Sequence, residues 1–176
     1  MIRLLRKIIA LYFHELFKKH IKKTPETILI CDIDNSIANT WPQWKNPTIK
    51  SKTFYQNIPP LAKSINFVRE LCSKNNLSII FISARPYNEL SNTKTWVKLY
   101  FGADNLVFLV KNASDKLWYY KTLIEKGKDF IVFDDLSYNH ENGDVKYYTE
   151  ITQFLKKNDI EHFDYKFIKS LNEETP

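Results

Sequence analysis

The segment ILICDIDNS, residues 28–36, decides how this chain can fold. Its first four residues are apolar, which is typical of a strand covered on both faces of a parallel sheet. Two acidic residues, Asp32 and Asp34, follow this strand directly. Because the carboxyl ends of the strands in an open α/β sheet border the ligand crevice, the pattern predicts a functional site here.

Asp32 and Asp34 would repel each other unless a cation joined them. Two like charges about 4 Å apart cost roughly 1 kcal/mol in water, and several times more in a partly dry site. Residues i and i+2 of an extended strand share a face, so both carboxylates can reach one ion. We predict Mg²⁺, which prefers carboxylate oxygens and keeps waters for a phosphate. Capping of the next turn is the alternative role of these acids.

A second apolar run, residues 79–82, ends in Ser83, Ala84 and Arg85. A hydroxyl and a guanidinium at a strand end are groups that bind phosphate. The pattern therefore predicts a phosphate site at the same edge of the sheet as the two aspartates. A purely structural Arg85 is the alternative.

A third apolar run, residues 130–133, ends in Asp134 and Asp135. Either residue supplies the further acidic ligand that a magnesium site needs. Lys116 lies between the second and third runs, directly after a helix N-cap signal, which places its amine near the strand ends. Lys111, at the end of the preceding predicted strand, is the alternative cation.

This ordered set of motifs, covering residues 28–135, resembles the haloacid dehalogenase-like hydrolases. Those proteins are mostly magnesium-dependent phosphatases and phosphotransferases with a Rossmann-like sheet. The resemblance implies the following roles: Asp32 as nucleophile, Asp34 as general acid and base, Lys116 as stabilising cation, Ser83, Ala84, Arg85 and Ser36 as phosphate-binding residues, and Asp32, Asp34, Asp134 and Asp135 as metal ligands.

Two residues depart from the family pattern. Asn35 stands where the family usually has glycine, and Ser36 stands where it usually has threonine. Neither change removes a reacting group. The motif spacing is similar to that of the phosphatase half of polynucleotide kinase, a capless member of the family that acts on nucleic-acid ends.

The order of elements indicates the fold class. Helices are predicted over residues 61–73, 91–102 and 115–127, and they separate four strands. Strands that alternate with helices imply right-handed crossovers. We expect an α/β, Rossmann-like three-layer sandwich of the haloacid dehalogenase type, with a mostly parallel, doubly wound sheet. No large cap domain is expected, because the gaps after the first two motifs are too short for one.

Composition indicates one intracellular domain. The chain has 176 residues, of which 44% are hydrophobic, enough for a single core. Two cysteines without metal-type spacing indicate reduced thiols, with no disulfide and no zinc. Three glycines cannot supply a kinase P-loop, which excludes that class of phosphate site. We divide the chain into an amphipathic helix, residues 1–24, and a catalytic domain, residues 25–176.

The N-terminal segment, residues 1–23, combines apolar residues at three- and four-residue spacing with seven lysines and arginines. It is predicted to be a basic amphipathic helix, too short to span a bilayer and without a signal-peptide cleavage site. Three roles are open: contact with an anionic membrane surface, pairing with a second copy, or covering a face of the sheet. We expect a cytoplasmic protein, peripheral at the inner membrane surface if the helix binds lipid.

Two further segments carry weaker signals. One segment contains four aromatic residues with interleaved lysines: Trp41, Trp44, Phe54 and Tyr55. It could form a flap that stacks on a base or sugar, or a surface loop that folds its own rings inward. Residues 142–143 are an Asn-Gly hairpin signal, which could bring His140 near the third run. A solvent-exposed turn is the expectation for His140, because it has no partner at ligand spacing.

The sequence therefore predicts a magnesium-dependent phosphatase that hydrolyses a phosphomonoester through an aspartyl-phosphate on Asp32. Its partner would be a phosphorylated substrate, either a small molecule or a nucleic-acid end. One alternative is a phosphotransferase that uses the same site. Another is a non-catalytic protein that keeps the fold and associates with a membrane or a complex.

Overall fold

The structure is a computed structural model that describes residues 2–24, 27–44, 53–102, 105–140 and 143–173. The strands are β1 (Thr27–Cys31), β2 (Ser78–Ser83), β3 (Leu106–Leu109), β4 (Asp129–Phe133), β5 (Ser137–Tyr138), β6 (Lys146–Tyr147) and β7 (His162–Phe163). The helices are α1 (Ile2–Ile21), α2 (Thr40–Trp44), α3 (Ala62–Asn75), α4 (Leu90–Phe101), α5 (Lys116–Glu125), α6 (Thr149–Lys157) and α7 (Tyr165–Asn172). Short 3₁₀ turns lie at Phe54–Gln56, Tyr87–Glu89 and Ala113–Asp115.

Five strands form one sheet in the order β3-β2-β1-β4-β7, and every neighbouring pair is parallel. Strands β5 and β6 pair antiparallel in a separate ribbon. The expected α/β, Rossmann-like sandwich with a doubly wound sheet is confirmed. Strand β7 lies in a segment where the sequence analysis identified no strand, because two residues are too few to show a periodic pattern.

The strand order reverses at β1, which has β2 on one side and β4 on the other. In sheets of this type, ligands bind in the crevice outside the carboxyl ends of the strands where the order reverses. Asp32 follows β1 and Asp134 follows β4, so both residues lie at this point. The topology therefore brings the first and third sequence motifs together.

Helices cover both faces of the sheet. On one face, the ring of Phe67 in α3 lies 5.8 Å from that of Phe133 in β4 and 5.0 Å from that of Phe167 in α7. The four apolar residues of β1 are at most 1% exposed. Burial of β1 on both faces explains why its sequence is continuously apolar rather than alternating.

Helix α1 covers the other face of the sheet. Phe13, Phe17 and Ile21 are buried, and the ring of Phe17 lies 5.4 Å from Phe108 in β3 and 4.8 Å from Tyr119 in α5. Of the three roles predicted for the N-terminal segment, the structure shows the covering of a sheet face. The inner side of α1 is therefore part of the same core as the sheet. No helix in the described parts of the chain is both long and apolar enough to cross a membrane.

Replacing Phe17 by alanine should lower the free energy of unfolding by about 3–5 kcal/mol, because a fully buried ring would leave a cavity between α1 and the sheet. Urea denaturation followed by circular dichroism measures the change. Leu11→Ala on the same helix is the control, since Leu11 is 63% exposed and its loss should cost less than about 0.5 kcal/mol. Equal effects would contradict a shared core.

Candidate active site

Asp32 extends the pairing of β1 with β4, since its backbone N–H donates to the Phe133 carbonyl at 2.9 Å. Its side chain is 5% exposed. The Oδ1 atom lies 2.9 Å from Nζ of Lys116, but without hydrogen-bond alignment, and no described group donates a hydrogen bond to it. A buried carboxylate oxygen without a donor is costly, which makes this atom a natural ligand for a cation or a reacting group.

The chain turns sharply after Asp32. Asn35 adopts a left-handed conformation with φ of 59°, and its backbone N–H donates to the Ala38 carbonyl at 2.8 Å. Asparagine tolerates this conformation better than most residues other than glycine. The departure from glycine at this position therefore leaves the turn intact.

Asp34 is held by three side chains. Arg85 donates from Nε to Oδ2 and from Nη2 to Oδ1, both at 2.8 Å, in a bidentate pair. Ser83 donates to Oδ2 at 3.1 Å and Thr40 to Oδ1 at 2.6 Å. Burial by itself would raise the pKa of the Asp34 carboxyl, but the charge of Arg85 and these hydrogen bonds lower it below its usual value. Asp34 is thus ionised at neutral pH.

Arg85 is itself completely enclosed. Its guanidinium lies 4.6 Å from the ring centre of Tyr55 and donates from Nη1 to Thr93 at 3.2 Å. Arg85 was expected to contact phosphate, whereas the structure directs it to Asp34, the structural alternative.

Tyr55 is buried, so this part of the aromatic segment folds inward. The side chain of Trp44 and the interleaved lysines of the predicted flap lie outside the described residues.

Lys116 provides the central positive charge. Its Nζ lies 2.9 Å from Oδ1 of Asp32 and donates to Oδ2 of Asp134 at 2.6 Å. Burial would lower the pKa of the amine, but the two carboxylates raise it well above its usual value, so the lysine stays charged. Lys111, the alternative cation, is exposed. The structure therefore brings Lys116 rather than Lys111 to the predicted site.

The position of Lys116 follows from the start of α5. The Asn112 side chain accepts from the Asp115 backbone while the Asp115 side chain accepts from the Asn112 N–H at 2.9 Å, a reciprocal capping box. This cap begins one 3₁₀ turn earlier than the N-cap predicted from the sequence. It sets the first helical turn against the strand ends, which places the Lys116 amine between Asp32 and Asp134.

Asp134 and Asp135 have different surroundings. Asp134 accepts from Lys116, from the Tyr120 hydroxyl at 3.3 Å and from the Leu136 backbone at 3.0 Å. Asp135 accepts from the Ser137 hydroxyl, and its Oδ2 lies 3.5 Å from Nε2 of His140. Burial raises the pKa of Asp135. Both aspartates lie at the strand ends beside Asp32, where the sequence pattern placed them.

His140 lies against this site, and the expectation of a solvent-exposed turn is wrong. Its Nε2 is 2.9 Å from the Ser137 hydroxyl, and only 11% of its side chain is exposed. The connection after β5 turns His140 back to Asp135, five residues earlier in the chain, near the third run as the hairpin signal allowed. Residue 142 of the Asn-Gly signal lies outside the described residues.

Ser36 supports Asp135 from the other side. Its hydroxyl accepts from the Asp135 backbone N–H at 3.0 Å and lies 3.5 Å from Asp135 Oδ1. Ser36 is completely buried. It was expected to bind phosphate, whereas the structure uses it to join the turn after β1 to the turn after β4.

Several residues of the site had no role in the sequence analysis: Thr40, Tyr120, Ser137 and Tyr148. Tyr120 carried a usable signal, because it lies four residues after Lys116 and therefore on the same face of α5. The others come from connections that show no periodicity. Their positions depend on how the connections fold against the strand ends.

The donor atoms fit a hard divalent cation. One carboxylate oxygen from each of Asp32, Asp134 and Asp135 lies within 4.8 Å of the others. Four carboxylates, those three and Asp34, face two cationic side chains, which leaves an excess of two negative charges. Burial raises the pKa of Asp32 well above its usual value; Lys116 opposes this shift and the neighbouring carboxylates add to it, which makes the excess negative charge costly. A divalent ion would neutralise it.

A cavity of about 100 Å³ lies at the carboxyl edge of the sheet. At about 30 Å³ for each water in the liquid, this volume corresponds to roughly three water molecules, enough for a phosphoryl group. The following residues line it: Asp32, Asp34, Asn35, Ser83, Ala84, Ala113, Lys116, Asp134, Asp135, Leu136, Ser137 and Tyr148. The predicted residues thus converge on one cavity, except Ser36 and Arg85, which lie behind its wall.

No protein-family model matches the chain, and no curated protein matches it. Among solved structures, the chain is similar to a class C acid phosphatase from Bacillus anthracis with tungstate bound, with 15% identity and a TM-score of 0.53 over 99% of this chain and 84% of that chain. Another structure of the class C acid phosphatase from Bacillus anthracis has 18% identity and a TM-score of 0.49, covering 87% of this chain and 73% of that one. At 15% identity the first likeness is one of fold alone, and it agrees with the parallel, Rossmann-like sheet.

Adding Mg²⁺ should raise the melting temperature, because an ion that binds only the folded chain adds about 2.7 kcal/mol at a hundred times its dissociation constant. Differential scanning fluorimetry with and without Mg²⁺ measures the shift. Asp135→Asn should remove most of it, whereas Asp144→Asn, at a side chain 74% exposed, should leave it unchanged. Equal shifts in both variants would contradict a metal site at the sheet edge.

Asp34→Asn should lower the free energy of unfolding by about 3–5 kcal/mol at pH 7, because it leaves Arg85 buried without its partner. The pKa of Asp34 is lower in the folded than in the unfolded chain, so its carboxylate stabilises above the unfolded value of 3.8. That contribution is lost as the pH falls through the folded pKa.

The difference between wild type and Asp34→Asn should therefore narrow below about pH 4. Urea denaturation at neutral and acidic pH tests this, with the exposed Asp129→Asn as control. A difference that stays constant with pH would show that Arg85 does not hold Asp34 in its ionised form.

Proposed function

We propose that this chain is a phosphomonoester hydrolase of the haloacid dehalogenase type, working through an aspartyl-phosphate on Asp32. The observation that carries the proposal is one cavity whose wall contains Asp32, Asp34, Lys116 and the Asp134–Asp135 pair. A structural ion-pair cluster would not need a cavity beside it. A site for transferring a phosphoryl group requires both the charges and the space.

Asp32 is the nucleophile in this proposal. Its Oδ1 has no hydrogen-bond donor, so its lone pairs are available to attack phosphorus. The new bond to phosphorus forms as the bond to the leaving oxygen breaks. Lys116, 2.9 Å from the same atom, lowers the pKa of the Asp32 carboxyl against the larger effect of burial, and it would offset negative charge on the phosphoryl oxygens.

Asp34 is the general acid and general base in this proposal. In the first step, protonated Asp34 gives its proton to the leaving oxygen, and in the second it takes a proton from the water that attacks the aspartyl-phosphate. Arg85 orients the carboxylate and lowers its pKa, so the protonated form is populated mainly in acid. We therefore expect turnover of poor leaving groups to increase as the pH falls towards the pKa of Asp34.

Mg²⁺ is the proposed cofactor, with Asp32, Asp134 and Asp135 as its side-chain ligands. When bound, the ion would neutralise charge on the phosphoryl oxygens. Ser137 and Ser36 hold Asp135, and Tyr120 holds Asp134, so the ligand oxygens are oriented before any ion binds.

The substrate is proposed to be a phosphorylated small molecule or a nucleic-acid end, reached through an open, capless site. A second cavity of about 830 Å³ borders Ala84 and Arg85, next to the catalytic cavity. Tyr87, Arg6 and Lys111 are among the residues that line it. Its size and its mixture of aromatic and cationic side chains suit a leaving group larger than phosphate. Similarity of fold to an acid phosphatase solved with tungstate bound adds support.

Asp34→Asn should lower kcat about 10²- to 10⁴-fold for an alkyl phosphate, which needs its leaving oxygen protonated. The loss should be much smaller for p-nitrophenyl phosphate, whose leaving group departs as an anion. Phosphate release in the presence of Mg²⁺ measures both rates. A matched control is Asp32→Asn, which should abolish turnover of both substrates because it removes the nucleophile. Equal losses with the two substrates for Asp34→Asn would contradict its role in proton transfer.

A panel of phosphomonoesters with Mg²⁺ tests the function as a whole. Release of inorganic phosphate, its loss with a chelator and competitive inhibition by tungstate are the expected results. If an added alcohol becomes phosphorylated instead, the same site works as a phosphotransferase. If no monoester reacts, the chain is a non-catalytic protein that keeps the fold.

A further inference from the structure

The outward side of α1 carries a cluster of exposed apolar side chains that we call the apolar stripe. Its members are Leu4, Leu5, Ile8, Leu11 and Tyr12, each between 53% and 65% exposed, and two of them, Leu5 and Tyr12, also border the cavity next to Arg85. Their spacing of one, three and four residues places them on one side of the helix. The other large apolar residues exposed in the described chain are Leu99, Ile124, Tyr138 and Tyr147, which lie on other elements. A contiguous exposed patch of this kind marks a binding surface, whereas scattered residues do not.

The apolar stripe is not what holds α1 on the domain. The opposite side of the helix does so, through Phe13, Phe17 and Ile21, which are at most 4% exposed. A helix cannot turn one side inward without exposing the other. The stripe is therefore apolar surface beyond what packing of this helix on the sheet requires.

Lysines continue the stripe towards the carboxyl end of α1. Lys19 lies seven residues after Tyr12, on the same side of the helix, and Lys22 and Lys23 follow in the exposed turn. The acidic residue of the helix, Glu15, is already paired with Lys18 at 3.0 Å. The outward surface therefore combines an apolar half with a strongly cationic end.

This distribution of charge favours one kind of occupant. A second copy docked in parallel would place lysines against lysines, and an antiparallel copy would place the lysines of each helix against the apolar residues of the other. An anionic bilayer surface satisfies both halves at once. Apolar side chains enter the boundary between headgroups and acyl chains, and ammonium groups contact the lipid phosphates.

We propose that α1 docks this domain on an anionic phospholipid surface, with the apolar stripe buried at the interface and Lys19, Lys22 and Lys23 on the headgroups. The inner side of the helix stays in the protein core, so docking needs no unfolding. The helix lies in the plane of the surface. This inference does not depend on phosphatase activity.

Co-sedimentation of the full chain with lipid vesicles tests the proposal. Binding should be strong to phosphatidylcholine vesicles that contain phosphatidylserine, weak to phosphatidylcholine alone, and reduced by salt. The double variant Ile8→Glu, Leu11→Glu should lower the partition coefficient at least about tenfold, because it places charges in the apolar boundary. Leu99→Glu is the matched control, since Leu99 is 69% exposed on α4 and its replacement should change nothing.

A second set of variants tests the cationic end. Changing Lys19, Lys22 and Lys23 to glutamine should weaken binding to anionic vesicles roughly fivefold for each lysine and reduce its salt dependence. The control changes Lys156 and Lys157, which are exposed on α6, to glutamine and should have little effect. All the substituted side chains are exposed, so the midpoint of urea denaturation should not move.

Three results would overturn the proposal. The first is a wild-type chain that fails to bind anionic vesicles while its circular dichroism shows a folded protein. The second is vesicle binding that the Ile8 and Leu11 substitutions leave unchanged. The third is a dimer in light scattering that Leu11→Glu dissociates without any vesicle binding, which would assign the stripe to a second copy.

Discussion

The charge of Lys116 is the constraint on which the rest of the site depends. Its amine is enclosed between Asp32 and Asp134, two carboxylates that a parallel sheet places side by side at the point where the strand order reverses. Without that cation, two buried negative charges would face each other in a medium that screens them poorly. The capping box at the start of α5 places the Lys116 amine between Asp32 and Asp134. Stability of the sheet edge and the proposed phosphoryl transfer would thus depend on the same contact.

A second cation, Arg85, controls Asp34 in a different way. It forms a bidentate pair that orients the carboxylate, and it is held in turn by Tyr55 and Thr93. The pairing that positions Asp34 also favours its ionised form, so orientation is gained while the protonated form becomes rarer at neutral pH. The two cations together still leave the four carboxylates in excess. That remaining charge is the physical reason to expect a divalent ion in the site.

Helix α1 shows how one element can meet two different demands. Phe17 and Ile21 complete the core over one face of the sheet, while Ile8 and Leu11 lie on the opposite, exposed side of the helix. A helix that only covered a sheet would be polar on its outward side. The apolar outward side is consistent with a binding surface, and the lysines at its carboxyl end favour an anionic partner.

The sequence by itself determined the elements whose signal is local. Continuous apolar runs marked β1, β2 and β4, acids and a hydroxyl marked their carboxyl ends, and the cap before Lys116 marked the catalytic lysine candidate. Only the tertiary structure decided which groups these side chains meet. It directed Arg85 to Asp34 and Ser36 to Asp135, because those contacts join residues 51 and 99 positions apart in the chain. It also turned His140 back towards Asp135 through an irregular connection, and it added β7, which is too short to show a period.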